Sequence, residues 1–212
     1  NVDYVAITNK IPYTIAFLNE DGSAIDGAEW IGYYGDVITE DDAPVVTKEG
    51  FEFKGWTVNG EKVTLPYTVK GDTTFTASFG VVAYEVIWYV DGKEVYRDTY
   101  DFGDAIVMRA DEVKEGDTFS GWDTDLTGMT MPAEDIEVNG TFTVNVYNAL
   151  FYADGELIET VPTNFGEIPA APKAPEKTGY DFAGWKDSEG NIIMPGETAG
   201  KMDADGEGFT AE

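Results

Sequence analysis

The chemistry open to this chain is that of carboxylates and aromatic rings. It carries 41 Asp and Glu against 13 Lys and Arg, a formal net charge of −28, and neither His nor Cys. Without Cys there is no disulfide, no thiolate nucleophile and no Cys-based zinc site. Without His the commonest general base and metal ligand is missing. Carboxylates hold Ca²⁺ when about six to eight oxygens converge. Three acidic clusters invite that reading: Glu40-Asp41-Asp42, Asp123-Thr124-Asp125 and Asp203-Ala204-Asp205-Gly206-Glu207. The last opens like an Asp-x-Asp-Gly loop but lacks the rest of an EF-hand pattern. All three read as solvated acidic loops, so no metal site and no cofactor is assigned.

Catalysis needs a tuned group. Carboxylates are so numerous here that any pair is a matter of chance, and neither a Gly-x-Ser-x-Gly elbow nor a phosphate loop occurs. No catalytic residue is assigned and a non-enzymatic role is expected. The aromatic side chains offer stacking instead. Trp56, Trp122 and Trp185 each follow a glycine in an apolar strand, which points to core packing. Trp30, Tyr33, Tyr67, Tyr96 and Tyr100 are the less regular aromatics and the better candidates for contact with a host protein or glycan. An acidic surface repels phosphate backbones and anionic lipid headgroups, so no nucleic-acid partner is expected. No apolar run approaches the roughly 18–20 residues that span a bilayer, so membrane insertion is not expected either.

The elements that must position these side chains come in three copies. Phe53-Lys54-Gly55-Trp56 recurs as Phe119-Ser120-Gly121-Trp122 and as Phe182-Ala183-Gly184-Trp185. Other landmarks keep their order around it. Each copy opens on an alternating run: Tyr13 to Leu18, Tyr84 to Tyr89, and Tyr147 to Tyr152. The period of two marks a strand with one buried face. An Asp-Gly suited to a hairpin turn follows at Asp21-Gly22, Asp91-Gly92 and Asp154-Gly155. Next stands an aromatic–Gly–acid element: Tyr34-Gly35-Asp36, Phe102-Gly103-Asp104 and Phe165-Gly166-Glu167. Gly50, Gly116 and Gly179 precede the Phe-x-Gly-Trp strand. Pro66, Pro132 or Pro195 introduces a last strand, clearest in Thr73 to Phe79 and Gly140 to Val144.

The expected domains are modules at 13–79, 84–144 and 147–212, with residues 1–12 as the closing strand of an upstream repeat or a linker. Gly208 to Glu212 reads as the start of a closing strand. The absence of an initiating Met suggests a mature fragment or a piece of a longer array. A turn or two of helix is expected within 104–114 and within Thr39 to Val45. The fold class is therefore mostly β, α+β at most. The modules are expected to be tandem and β-grasp-like, each a small mixed sheet with at most one short helix. In that layout the first and last strands are parallel neighbours.

The pattern Gly-Phe-x-Phe-x-Gly-Trp at Gly50 to Trp56, with Met131-Pro132-Ala133-Glu134-Asp135, resembles the Listeria–Bacteroides repeat family, the B-repeat-like modules of internalins and other bacterial surface proteins. Two stretches depart from it: Gly116-Asp117-Thr118-Phe119 lacks the aromatic after the glycine, and the third copy is extended over 196–208. The resemblance implies a β-grasp-like fold and a secreted or cell-surface bacterial protein, and it supplies no catalytic residue. The expected role is a stalk, spacer or adhesive segment whose partners include flanking repeats of the same chain. The alternative is a module that binds a host protein or glycan through exposed aromatics of one copy.

Overall fold

The computed structural model describes residues 8–195, 202 and 206–211. The chain divides into two compact units. One is Asn1–Val86 with Arg97–Val107 and Leu126–Ile136; the other is Ile87–Tyr96 with Met108–Asp125 and Glu137–Glu212. The expected closing strand at residues 1–12 falls largely outside the described residues, and Pro12 already belongs to the next strand.

The first copy contains β1 (Pro12–Leu18), β2 (Ala24–Tyr33), β3 (Val37–Ile38), β4 (Phe51–Val58), β5 (Glu61–Val63), β6 (Tyr67–Thr68) and β7 (Thr73–Val81). Five of these form one mixed sheet in the order β2-β1-β7-β4-β5, and β3 pairs with β6 as a small ribbon. β1 and β7 are parallel, with Phe17 opposite Phe75. The alternation read in the sequence is the buried face: Ile15, Phe17 and Phe75 are enclosed and Trp56 is 5% exposed.

The third copy repeats this order. Its strands are numbered after those of the second copy, which are β8 (Ala83–Val90), β9 (Lys93–Asp101), β10 (Asp117–Phe119), β11 (Ile136–Gly140) and β12 (Phe142–Val144). The third copy then has β13 (Val146–Ala153), β14 (Glu156–Asn164), β15 (Trp185–Lys186), β16 (Ile192–Ile193) and β17 (Glu207–Ala211). Its sheet runs β14-β13-β17-β15-β16, and β13 lies parallel to β17 with Phe151 opposite Phe209. The second copy holds a three-stranded sheet β11-β8-β9 and a pair β10-β12. Its last strand begins at Ile136, upstream of the expected Gly140, and is interrupted at Thr141.

The Phe-x-Gly-Trp element owes its glycine to a bulge. Residues three apart in a regular strand face opposite sides. In β4 the register against β7 slips between Phe53 and Gly55, and Gly55 has φ 116°. An extra residue at that point turns the strand, so Phe53 and Trp56 share a face with ring centroids 5.2 Å apart. The same edge-to-face contact recurs at 5.0 Å for Phe119 and Trp122 and at 5.4 Å for Phe182 and Trp185. Each Trp then meets the inward aromatic of the opening strand edge-on: Phe17 at 4.6 Å, Trp88 at 4.9 Å and Phe151 at 5.1 Å. Where copies one and three stack two Phe rings across the parallel pair, copy two has Trp88 and Val138, both fully buried. The larger ring offsets the smaller partner, which conserves volume. The expectation of three equivalent Trp anchors needs one correction. Trp56 and Trp185 are buried, but Trp122 is only half-buried, and Trp88 is the enclosed indole of the second copy.

The helical expectation is met at one of its two places and corrected at the other. Thr39 to Val45 holds a single 3₁₀ turn at Glu40–Asp42, and 104–114 holds no helix. The backbone of that segment is committed to long-range bonds. Ile106 N–H donates to the Met129 carbonyl at 3.0 Å, and the Ala110 carbonyl accepts the Trp122 indole N–H at 3.1 Å. In the third copy Pro169, Pro172 and Pro175 exclude a helix from the same crossing, and the Pro172 carbonyl accepts the Trp185 indole N–H at 3.1 Å.

Candidate functional site

The acidic clusters act as local structural acceptors. The Asp42 carboxylate accepts from Thr39 N–H at 2.8 Å and Thr39 Oγ1 at 2.7 Å, closing a capping box on the 3₁₀ turn. Those two bonds, the backbone one foremost, hold its carboxyl below the usual carboxylate range. Asp123 accepts from Asn139 N–H at 2.8 Å and Asn139 Nδ2 at 3.1 Å, and the Asn139 backbone bond leads in lowering its pKa. Asp187 does the same for Asn191 in the third copy, with the Asn191 side chain the leading cause of its lowered pKa. Asp203, Ala204 and Asp205 lie outside the described residues. Among the described residues no group of three or more Asp or Glu side chains converges as a metal site.

The five irregular aromatics do not assemble into one patch. Trp30 stacks on Phe17 at 5.9 Å and Tyr67 meets Phe75 edge-on at 5.2 Å, so both serve the core. Tyr33 and Tyr96 are partly exposed, each beneath a cation: Lys10 at 5.5 Å and Arg109 at 4.0 Å. The Tyr100 hydroxyl accepts from Val107 N–H at 3.3 Å. Two clefts are shaped by loops beside the sheets. One, of about 500 Å³, is walled by Pro44, Val45, Trp56 and Leu65. The other, of about 340 Å³, is walled by Leu157, Ile158, Lys177, Tyr180 and Phe182. Neither takes any of the five aromatics in its walls.

The structure instead joins two landmarks that the sequence reading kept apart. Lys48 to Phe51 form a tight turn, with Phe51 N–H donating to the Lys48 carbonyl at 3.0 Å and Gly50 third in the turn at φ 73°. Tyr33 to Asp36, Asp101 to Asp104 and Asn164 to Glu167 are turns of the same kind, each closed at 3.0 Å, with Tyr34, Phe102 or Phe165 second. Two backbone bonds brace each aromatic turn against a buried residue. Gly103 N–H donates to the Met131 carbonyl at 2.9 Å, and Met131 N–H donates back to the Asp104 carbonyl at 2.8 Å. Val69 and Met202 do the same for Asp36 and Glu167 at 2.7–2.9 Å.

The ring of Phe102 fills the space beside Gly50. A Cβ built on Gly50 would stand 2.0 Å from Phe102 Cγ. Val82 bridges the two turns: its N–H donates to the Gly50 carbonyl and its carbonyl accepts Phe102 N–H, both at 2.9 Å. The second joint repeats the first. Phe165 covers Gly116, where a Cβ would stand 1.8 Å from Phe165 Cδ1. Asn145 N–H donates to the Gly116 carbonyl and the Asn145 carbonyl accepts Phe165 N–H, both at 2.8 Å. A lysine stands two residues before Gly50, Gly116 and Gly179, paired with a carboxylate and lying near an aromatic ring. Lys48 pairs with Glu20 at 2.7 Å beside Phe51, Lys114 with Asp117 at 3.1 Å beside Phe142, and Lys177 with Asp154 at 2.5 Å beside Tyr180. A ring seated on a glycine and a linker residue bonded on both sides thus mark each passage from one copy to the next.

Comparison with known proteins places this geometry in context. The family model of the Listeria-Bacteroides repeat domain matches residues 13–83, 84–145 and 147–195. Internalin H of Listeria monocytogenes is 37% identical over 130 residues, 58% of this chain and 23% of the relative. A chain of Evansella cellulosilytica named as a Gly-rich membrane protein is 32% identical over 191 residues, 84% of this chain and 22% of the relative. A second Evansella chain named as a membrane protein is 27% identical over the same share of this chain and covers 28% of the relative. The chain thus spans about a quarter of the length of these relatives.

Proposed function

From the premise that this chain belongs to the Listeria-Bacteroides repeat domain family, we propose that it is a non-catalytic spacer segment of an exported bacterial surface protein. The observation that carries this reading is the joint built twice with the same parts. Gly50, Val82 and Phe102 form one; Gly116, Asn145 and Phe165 form the other. A flexible tether needs no such joint, because linker freedom follows from unbonded residues. Here the linker residue is hydrogen-bonded to the turns on both sides of it, which removes its own freedom. Parallel first and last strands put the two ends of a module at opposite poles. This layout, with its crossing reduced to a segment of little or no helix, is read as a helix-poor β-grasp. Kinship to Internalin H and to chains named as membrane proteins supports a surface setting. A binding role through exposed aromatics has less support, since Trp30 and Tyr67 are core residues.

Small-angle scattering tests the proposal. Three modules each advancing the chain by roughly 25–35 Å make a rod with a radius of gyration of roughly 22–30 Å. A compact globule of this length has one of about 17 Å. The expected result is the larger value, with further flexibility when Phe102 and Phe165 are both changed to Ala. The smaller value refutes the spacer reading.

A further inference from the structure

The joint has two halves, a glycine turn that receives and an aromatic turn that inserts. Two of each are engaged within the chain, and one of each is open. The open receiving turn is Lys177 to Tyr180 of the third copy. It is closed like the engaged ones, with Tyr180 N–H donating to the Lys177 carbonyl at 3.1 Å and Gly179 at φ 85°. A Cβ at Gly179 would meet nothing within 4 Å. Tyr180, in the place of Phe51, is 72% exposed, whereas Phe51 meets Phe102 edge-on at 5.9 Å. The open inserting turn is Tyr33 to Asp36 of the first copy, where Tyr34 is 66% exposed. Its turn is braced as the others are, with Gly35 N–H donating to the Val69 carbonyl and Val69 N–H to the Asp36 carbonyl, both at 2.9 Å.

We infer that Gly179 is a docking socket for the aromatic–Gly–acid turn of a further repeat of this kind in tandem, and that Tyr34 is the matching insert for such a socket. The inference rests on the spacer reading and deepens it by naming the surface that propagates the array. Three features argue for this occupant. The socket is already filled twice in this chain by the same element. Its glycine is rigidly presented with no Cβ to block a ring. The exposed Tyr180 supplies the edge contact that Phe51 supplies at the first joint. Such an interface is heterologous, different on its two faces, so each repeat that docks brings a further socket with it.

A seamless tandem of the whole chain provides the test. At both joints the inward residue of the last strand and the opening Tyr of the next copy are nine residues apart, Phe75 to Tyr84 and Val138 to Tyr147. Joining Glu212 directly to Thr8 of a second copy keeps that nine-residue spacing from Phe209 to Tyr13. The readout is the NMR shift of the glycine Hα protons, which a ring lying on the Cα moves upfield. In the single chain Gly50 and Gly116 are expected upfield and Gly179 at an ordinary position. In the tandem, the first copy's Gly179 is expected to join Gly50 and Gly116. Tyr34→Ala in the second copy is expected to return it while leaving Gly50 and Gly116 in place. A Gly179 signal unmoved in the tandem, or one whose shift survives Tyr34→Ala, overturns the inference. Scattering reports separately on the spacer reading. A compact single chain sinks that reading, whereas an extended single chain with Gly179 unmoved in the tandem sinks the docking inference alone.

Discussion

Substituting Ala for Gly50 and for Gly179 separates the joint from the turn that presents it. Both glycines stand third in a tight turn with φ 73° and 85°, so both variants incur the left-handed cost, about 1–2 kcal/mol. Only at Gly50 does the new methyl meet a ring, 2.0 Å from Phe102 Cγ, the ring atom nearest the backbone. A contact that close cannot be relieved by a small torsion, so Phe102 must leave its seat. Forced overpacking costs about 1–3 kcal/mol. Gly50→Ala should therefore destabilise the first copy by about 2–5 kcal/mol and Gly179→Ala the third by about 1–2 kcal/mol. A repeat array does not unfold as one two-state unit, so the suitable assay is native-state hydrogen exchange read on peptides covering β4 and β7. Repeating Gly50→Ala in a Phe102→Ala background completes a double-mutant cycle. With no ring to displace, the Gly50 cost should fall to the turn strain alone. An equal cost of Gly50→Ala in both backgrounds would refute the seating of Phe102 on Gly50.

The tryptophans and carboxylates give two further tests. Trp185→Ala removes an enclosed indole and should cost about 3–5 kcal/mol, whereas Trp122→Ala, half-buried, should cost less, about 2–3 kcal/mol; equal losses of thermal stability would contradict the burial difference. Asp123 has a lowered folded pKa, so its contribution is present above the unfolded value of 3.8 and is lost as pH falls below it. Asp123→Asn should therefore flatten the acid limb of the stability curve below about pH 4, measured by thermal melts at falling pH, and an unchanged limb would remove Asp123 from the account.

Much of this architecture was legible because the copies spell it three times. Alternation in Tyr13 to Leu18 marked a buried face, and the parallel pairing of β1 with β7 follows the expected layout. The crossing segments were less legible. The 104–114 stretch has no proline and fair helix formers, yet the Trp122 indole takes the Ala110 carbonyl and Met129 takes Ile106 N–H, so tertiary bonds override local propensity. In the third copy Pro195 is the landmark in the sequence, but Met202 is the residue that braces the Phe165 turn. Its role depends on chain folded back from a distance, which spacing does not encode. The joint itself was half visible. The aromatic–Gly–acid element and the pre-strand glycine were both noted as landmarks, but pairing them requires knowing that a ring of one copy reaches a glycine of the copy before. One cue was available: the sockets of copies one and two precede an aromatic–Gly–acid element of a later copy, and the last does not.

The parallel pairing of opening and closing strands has a mechanical consequence. When a chain held at both ends is pulled, β1 is drawn one way and β7 the other. The bonds between them, from Ile15 opposite Thr73 to Leu18 opposite Thr76, then lie across the line of force. They must yield together in shear, instead of opening one at a time like a zip. The same holds for β13 and β17 over Ala149 to Tyr152. Under tension the first and third modules would thus meet their greatest resistance at these parallel pairs.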